Sequence, residues 1–562
     1  MREVLSVPAS EDYDQLSSSV RVSGLERLTP YEKKCRLVNL EIDRQGMGRY
    51  QWYIWILCGF GYFLDLLWAQ AFGLVLSPVQ QEMGFRNSQS GNISTSFNAG
   101  LAAGAFFWGS VSDIIEAPVL IIVDSLGRRW AFNLTCLVSC SFGLCLGFSN
   151  DYTTFLVITA FVGFGVGGNI PVDGAIFLEF VPHNRRFLLA CLSIFQPLGV
   201  VVCSAIAFGF IPVFACVPNF SEKNPLQSCR TAAPGAACCS RSDNMGWRYF
   251  LYTLGVISLM VFLLRFFVFT FRETPKYLLY KGEDEKAIET MLHMAKVNNQ
   301  QCRLTLDDFR HLEPDNSIDE VTSSDLLLTP DQKGIPLMKG GSVKFRRWLG
   351  RYKMLFDGLQ MTRLTILVWL TYIMDFWGFT VAGFYLPRIL ALKNGAASAS
   401  LTFTYAAYIY TYAPGIVGVL VGAYVCRIPA IGRKWTMVIS SGLMGTSIIL
   451  LSKADTIAKN EGLFALEYFF QSMFNAVLYG WTPEAFPAPV RGTACGVASF
   501  WGRLFGIVSP LIAQHLYGKT TGDSGTGDIN SVLYLAGGVS LGCVLTTALL
   551  PSHLMEAQDE RS

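Results

Sequence analysis

The 562-residue sequence predicts an all-α membrane protein with twelve transmembrane helices in two pseudo-symmetric six-helix lobes, and three observations carry that prediction. The composition is 51% hydrophobic and only 15% charged, more apolar than a water-soluble chain of this length requires. Twelve apolar stretches are long enough for a hydrocarbon core about 30 Å thick, which takes roughly 20 residues of helix. A polar pattern seen in one half of the chain then recurs six spans later in the other.

Residues 1–51 are acidic and serine-rich at the start, with no apolar core before residue 52, so they read as a cytosolic tail and not as a cleaved signal peptide. The first lobe, 52–271, holds spans near 52–78, 93–112, 130–148, 153–180, 187–213 and 247–271. The polar stretch 272–361 carries "GEDEKAIETMLHMAKVNN" at helical spacing and reads as a cytosolic central loop. The second lobe, 362–550, holds spans near 362–390, 402–425, 435–452, 462–482, 493–517 and 531–550, and residues 551–562 form a cytosolic tail.

Lys and Arg beside the span ends orient the chain. Arg128, Arg129, Arg185, Arg186, Arg433, Lys434 and Arg491 share one side with the central loop, which places both termini in the cytosol, most simply at the plasma membrane. The 214–246 loop then faces outward although it carries Lys223, Arg230 and Arg241. It holds Cys216, Cys229, Cys238 and Cys239 and the glycosylation pattern Asn219-Phe220-Ser221, chemistry suited to an oxidising, glycan-adding lumen. Four cysteines permit three pairings, and the sequence leaves all three open.

Tyr62, Asp65 and Gly73 of span 1 recur as Tyr372, Asp375 and Gly383 of span 7, and Glu179, Pro182 and Arg186 after span 4 recur as Glu484, Pro487 and Arg491 after span 10. Two matched patterns, each displaced by six spans, indicate an internal duplication. Parallel repeats of this kind place a solute site between the lobes near the bilayer midplane.

The motifs resemble those of the major facilitator superfamily over residues 45 to 550. They are "GSVSD…SLGRR" after span 2, "GAYVCRIPAIGRK" from Gly422, "RETPKYLLYKGEDEKA" after span 6 and "YGWTPEAFPAPVRGTACG" around span 10. "GVGGNIPVDGAIFLEFVP" and Asp65 are most similar to the branch containing synaptic-vesicle-protein-like transporters and bacterial acid or niacin carriers. Sugar porters carry a double Gln in span 7, where this chain reads "TYIMDFWGFTVAG". The resemblance implies alternating access, and a cytosolic gate made by the acid and arginines of the span 2 loop. By that match Asp113, Arg128 and Arg129 form one cluster, with Glu179, Arg186, Glu484, Arg491 and Arg433 around it, while Cys426 stands near the acid's place in the second copy.

An ionisable group at mid-depth costs several kcal/mol, so each needs a partner, a proton or a wet cavity. Asp65, Asp173 and Asp375 are the candidates for proton coupling, against the alternative of fixed ion pairs. Arg503, mid-span, offers a permanent planar charge either to an anionic solute or to a facing acid, for which Asp375 and Glu467 are candidates. Arg265, near the end of span 6, is expected to snorkel to the headgroups. Asn169, Gln196, Gln471 and Asn475 supply neutral hydrogen-bonding groups for the cavity or for helix pairing.

The loop motif is interrupted. Removing eleven residues, Ile114 to Asp124, turns "GSVSDIIEAPVLIIVDSLGRRW" into "GSVSDSLGRRW", so either Asp113 or Asp124 can take the acid's role. The 114–124 insertion, apolar apart from Glu116 and Asp124, reads as foreign to a short polar turn; the rival is an extension of span 2 bent at Pro118. A form lacking 114–124 is expected to insert and transport at least as well as the full chain, and a large loss of uptake at matched surface expression would assign the insertion a function.

These readings converge on a proton-coupled secondary transporter of a small polar solute, an organic acid or other small anion ranking ahead of a sugar or polyol. The alternatives are an efflux carrier of a metabolite or drug, and a non-transporting nutrient sensor on the same fold. A net charge of +2 with no basic aromatic stripe excludes a nucleic-acid partner. No nucleophile and base, metal-ligand spacing or phosphate-cradling loop points to an enzyme or a cofactor. The proton gradient is the expected energy source, and the solute and the bilayer are the expected partners of a monomer.

Overall fold

The computed structural model describes residues 30–86, 89, 91–113, 128–220, 225–268, 272–310, 312, 352–393, 400–428, 431–454, 456–487, 490–519 and 529–551. The 114–124 insertion, with Asp124, lies outside these residues, and of Asp113, Arg128 and Arg129 only the backbone is described.

Two units form. The smaller draws its described residues from the segments Met1–Tyr50, Val181–His183 and Glu273–Gly334, so the N-terminal helix α1 (Pro30–Gln45) packs with the helices of the central segment. Lys34 of α1 pairs with Asp284 and lies over the Phe309 ring at 5.8 Å. Buried Glu41 accepts from Arg44 at 2.6 Å and from Gln45 at 2.8 Å.

The larger unit is the helical bundle. Its first lobe comprises α2 (Arg49–Met83), α3 (Gly91–Asp113), α4 (Arg128–Leu146), α5 (Tyr152–Val166), α6 (Asn169–Phe180), α7 (Phe187–Cys191), α8 (Phe195–Phe210) and α9 (Gly246–Leu263). Its second lobe comprises α10 (Gly358–Lys393), α11 (Leu401–Tyr412), α12 (Pro414–Val425), α13 (Gly432–Leu451), α14 (Ile457–Ala485), α15 (Arg491–Lys519) and α16 (Ile529–Ala548). Taking α5 with α6, α7 with α8 and α11 with α12 gives six spans per lobe. Among the described residues eight are long and apolar enough by composition to cross a bilayer. Helices α14 and α15 fall outside that set while carrying Glu467, Gln471, Asn475 and Arg503, the side chains they turn inward.

Small residues set the helix spacing. At Gly163 and Gly167 a Cβ would stand 2.4 Å from the Phe97 carbonyl oxygen and 2.3 Å from that of Leu101, so the "GFGVGG" glycines let the fourth span lie backbone to backbone against α3. Asp151 caps α5, accepting from the Thr154 N–H and hydroxyl, both at 2.8 Å. Those two donors hold its carboxyl below the usual range, so the cap is fully formed above the ordinary carboxylate pKa and is lost as pH falls through the lowered one.

The loop before α9 is pinned covalently, Cys216 to Cys239 and Cys229 to Cys238, which selects one of the three pairings. Glu82 at the end of α2 accepts Arg248 at 2.7 and 2.8 Å and the Trp247 indole at 2.9 Å. Asn219 is half-buried in the same loop. This is hereafter the disulfide-bearing end of the bundle.

Candidate functional site

A cavity opens between the lobes. The first lobe lines it with Asp65, Leu66, Gln196 and Pro197, and the second with Asp375, Phe376, Phe379, Tyr468, Gln471, Ser472, Asn475 and Tyr479. Its free volume of about 30 Å³ holds a few waters and no organic solute, so a solute enters only when the lobes part. Among the described residues several polar atoms here have no hydrogen-bond partner: Asp375 Oδ1, the Tyr468 hydroxyl, both amide atoms of Gln471 and Asn475 Oδ1. Buried polar groups are ordinarily satisfied, and a row of unsatisfied ones around a hollow is the mark of a site that takes a polar ligand or water.

The helical register of α14 assembles this wall. Gln471, Asn475 and Tyr479 succeed one another at four-residue intervals, which puts them on one face, with Tyr468 and Ser472 beside them; Glu467, one interval earlier, is buried and does not line the cavity. The sequence picks out Gln471 and Asn475 of this wall and misses Tyr468, Ser472 and Tyr479, although the same spacing points to them. Phe376 faces the cavity instead of its neighbour Trp377, whose ring lies 6.1 Å from that of Phe505. Asp375 is 1% exposed and has no basic partner among the described residues.

Arg503 reaches across the lobe boundary. From α15 in the second lobe it donates to Asp65 Oδ1 on α2 at 3.0 Å, to the Gly167 carbonyl at 3.0 Å and to the Leu101 carbonyl on α3 at 3.3 Å. Its acid is therefore Asp65, and not Asp375 or Glu467 as the sequence suggested; the partner lies 438 residues away, a separation no periodicity reveals. The guanidinium is 1% exposed and does not line the cavity, whereas Asp65 does. One carboxyl thus faces the hollow on one side and an inter-lobe bridge on the other.

Arg265 and Asp173 form a second buried pair at 2.7 Å, wholly within the first lobe. Arg265 was expected at the headgroups; it turns inward instead, donating to the Leu57 carbonyl at 2.8 Å and the Phe132 carbonyl at 3.0 Å, with the Phe132 ring 3.8 Å away. Four nearby acceptor and ring contacts outweigh a short climb to the surface. Gly61 leaves the space, since a Cβ there would meet Asp173 Oδ2 at 1.7 Å. Asn169 donates to the Gly61 carbonyl at 3.3 Å, so Asp173 and Asn169 tie helices together and do not line the cavity. Asp173→Asn is expected to cost about 3–5 kcal/mol by leaving the buried guanidinium uncompensated; Asp173→Leu combined with Arg265→Met should recover most of it, read as thermal unfolding of the purified chain.

The end opposite the disulfides holds the expected gating residues that are described. Glu484 pairs with Arg433 at 2.7 Å, and Arg186 from the first lobe and Arg491 from the second lie within its electrostatic reach. Arg491 also donates to the Pro483 carbonyl at 2.6 Å, and Glu179 is buried. The lobes touch here through glycines: a Cβ on Gly109 of α3 would stand 2.8 Å from the Gly496 Cα of α15.

A family model described as the Major Facilitator Superfamily matches residues 58–316 and 368–561. The chain is 34% identical over 491 residues to the MFS siderochrome iron transporter 1 of Ceriporiopsis subvermispora, covering 86% of this chain and 85% of that protein. It is 23% identical over 477 residues to the niacin transporter NiaP of Acinetobacter baylyi, covering 84% and 89%. Among solved structures, the proton:xylose symporter XylE bound to 6-bromo-6-deoxy-D-glucose superposes with a TM-score of 0.62 at 15% identity, over 89% of this chain and 96% of that one.

Proposed function

The chain belongs to the Major Facilitator Superfamily, a family of membrane transporters and not of enzymes, and from that premise we propose that it is a proton-coupled secondary carrier of a small polar solute. The observation that carries this reading is Asp65, which lines the central cavity while its other face closes the Arg503 bridge between the lobes. Ionised, Asp65 holds the lobes in the arrangement seen here. A proton arriving through the cavity neutralises it and leaves Arg503 with two backbone carbonyls, so the bridge loses its charge–charge component. A proton thereby biases a rigid-body equilibrium whose two states expose the cavity to opposite faces. The end bearing Arg186, Arg433 and Arg491 is taken as cytosolic, on the positive-inside argument.

The anion ranked first from sequence required an unoccupied guanidinium at the site. Arg503 is occupied by Asp65, and the cavity walls carry carboxyls, amides and rings, so the ranking moves to neutral or cationic solutes. The decisive experiment is uptake into reconstituted vesicles of a panel of small polar solutes, with and without a pH gradient. Asp65→Asn should abolish gradient-driven accumulation while solute exchange at equal pH persists. Unchanged accumulation would remove Asp65 from the coupling step.

A further inference from the structure

We propose that the central cavity selects a positively charged solute, an alkylammonium or protonated amine, which Asp375 and Glu467 bind in place of a proton. This deepens the carrier reading above and rests on it. The balance of charge around the hollow carries the inference. The described lining residues include two carboxyls, Asp65 and Asp375, and neither Lys nor Arg. Arg503 compensates Asp65 alone. Glu467 stands one turn before Gln471 on α14, next to the lining residue Tyr468 and itself outside the lining, and interacts electrostatically with Asp375.

Among the described residues no cationic group interacts with these two acids. Asp375 interacts electrostatically with Glu467, Tyr372, Tyr479 and Cys543, and Glu467 with Tyr412 and Tyr468. With no cation among the described residues to compensate these two carboxyls, the site keeps protons on them or, once the lobes part, takes a cation. The remaining wall suits an organic cation. Phe376, Phe379 and Tyr479 line the hollow, and an ammonium is attracted to aromatic rings in a desolvated site. The unpartnered Tyr468 hydroxyl and the amides of Gln471 and Asn475 provide hydrogen-bond partners for a polar tail. A cation seated on Asp375 and Glu467 displaces their proton to solvent, so solute and proton occupy the site alternately, and the carrier exchanges one for the other.

The test uses three molecules of one shape: choline, 3,3-dimethylbutan-1-ol and 3,3-dimethylbutanoate. Binding to the purified full chain is measured in weakly buffered nanodiscs, with a pH indicator present. Choline should bind at least about tenfold more tightly than the alcohol, the gain expected of a desolvated ammonium on carboxyl and ring, and more tightly still than the carboxylate. Its binding should release protons. Asp375→Asn and Glu467→Gln, each checked for an unchanged circular dichroism spectrum, should erase the preference and reduce the release. Equal binding of the three, no binding of choline, or proton release unaltered in Asp375→Asn would overturn the assignment. Vesicle uptake keeps the two readings apart: choline binding with proton release but no uptake of any solute would overturn the carrier reading, and the exchange with it, while the cavity's selectivity for a cation would stand.

Discussion

Arg503→Lys is expected to reduce solute uptake to roughly one per cent of the unmodified chain while the protein still reaches the membrane. The guanidinium grips three acceptors on three elements of the opposite lobe, Asp65 Oδ1, Gly167 O and Leu101 O, at 3.0–3.3 Å. An ammonium keeps the charge but is a compact point on a flexible stem and lacks the planar fork. It can satisfy Asp65 or the carbonyls, not all three in register. Removing a partner from a buried pair costs about 3–5 kcal/mol, and even a fraction of that, near 2.7 kcal/mol, is a hundredfold change in the balance of two states. Uptake normalised to surface expression reads the result, and uptake within a factor of about two of the unmodified chain would show that the bridge is ornamental to the cycle.

Gly109→Leu should stop the cycle by a different route. The Gly109 Cβ would lie 2.8 Å from the Gly496 Cα and 3.0 Å from the Gly492 carbonyl, against backbone that cannot rotate away. Overpacking of this kind costs about 1–3 kcal/mol or more, and it falls only on the arrangement in which the lobes meet at the end opposite the disulfides. The population therefore shifts toward the arrangement open at that end. Uptake is lost, and a cysteine introduced at the cavity residue Gln196 becomes more accessible to a membrane-impermeant thiol reagent from that end. Reduced labelling from that side, or normal uptake, would refute the seam's role. Gly109 is the first residue of the "GSVSD" motif, so the motif's glycine has a steric reason that is independent of its acid.

Much of this was legible in the chain. Length and apolar runs specify helices that cross a bilayer, because a backbone in hydrocarbon must satisfy its own hydrogen bonds. The repeat of Asp65 at Asp375 and of Glu484 at Glu179 marks two related lobes. The four-residue spacing along α14 marks one wall of a cavity, since helical geometry converts spacing into a shared face.

What the sequence by itself determined is therefore the one-dimensional part: which segments are helices, how many lobes they make, and which side chains stand at mid-depth. Tertiary structure alone decided which charges meet. Asp65 took Arg503 from the other lobe, Asp173 took Arg265 from within its own, and Asp375 was left facing the hollow. The reason is physical: in a low-dielectric interior an ion pair depends on a few ångströms of side-chain separation, and that distance is set by how helices far apart in the chain rotate and pack.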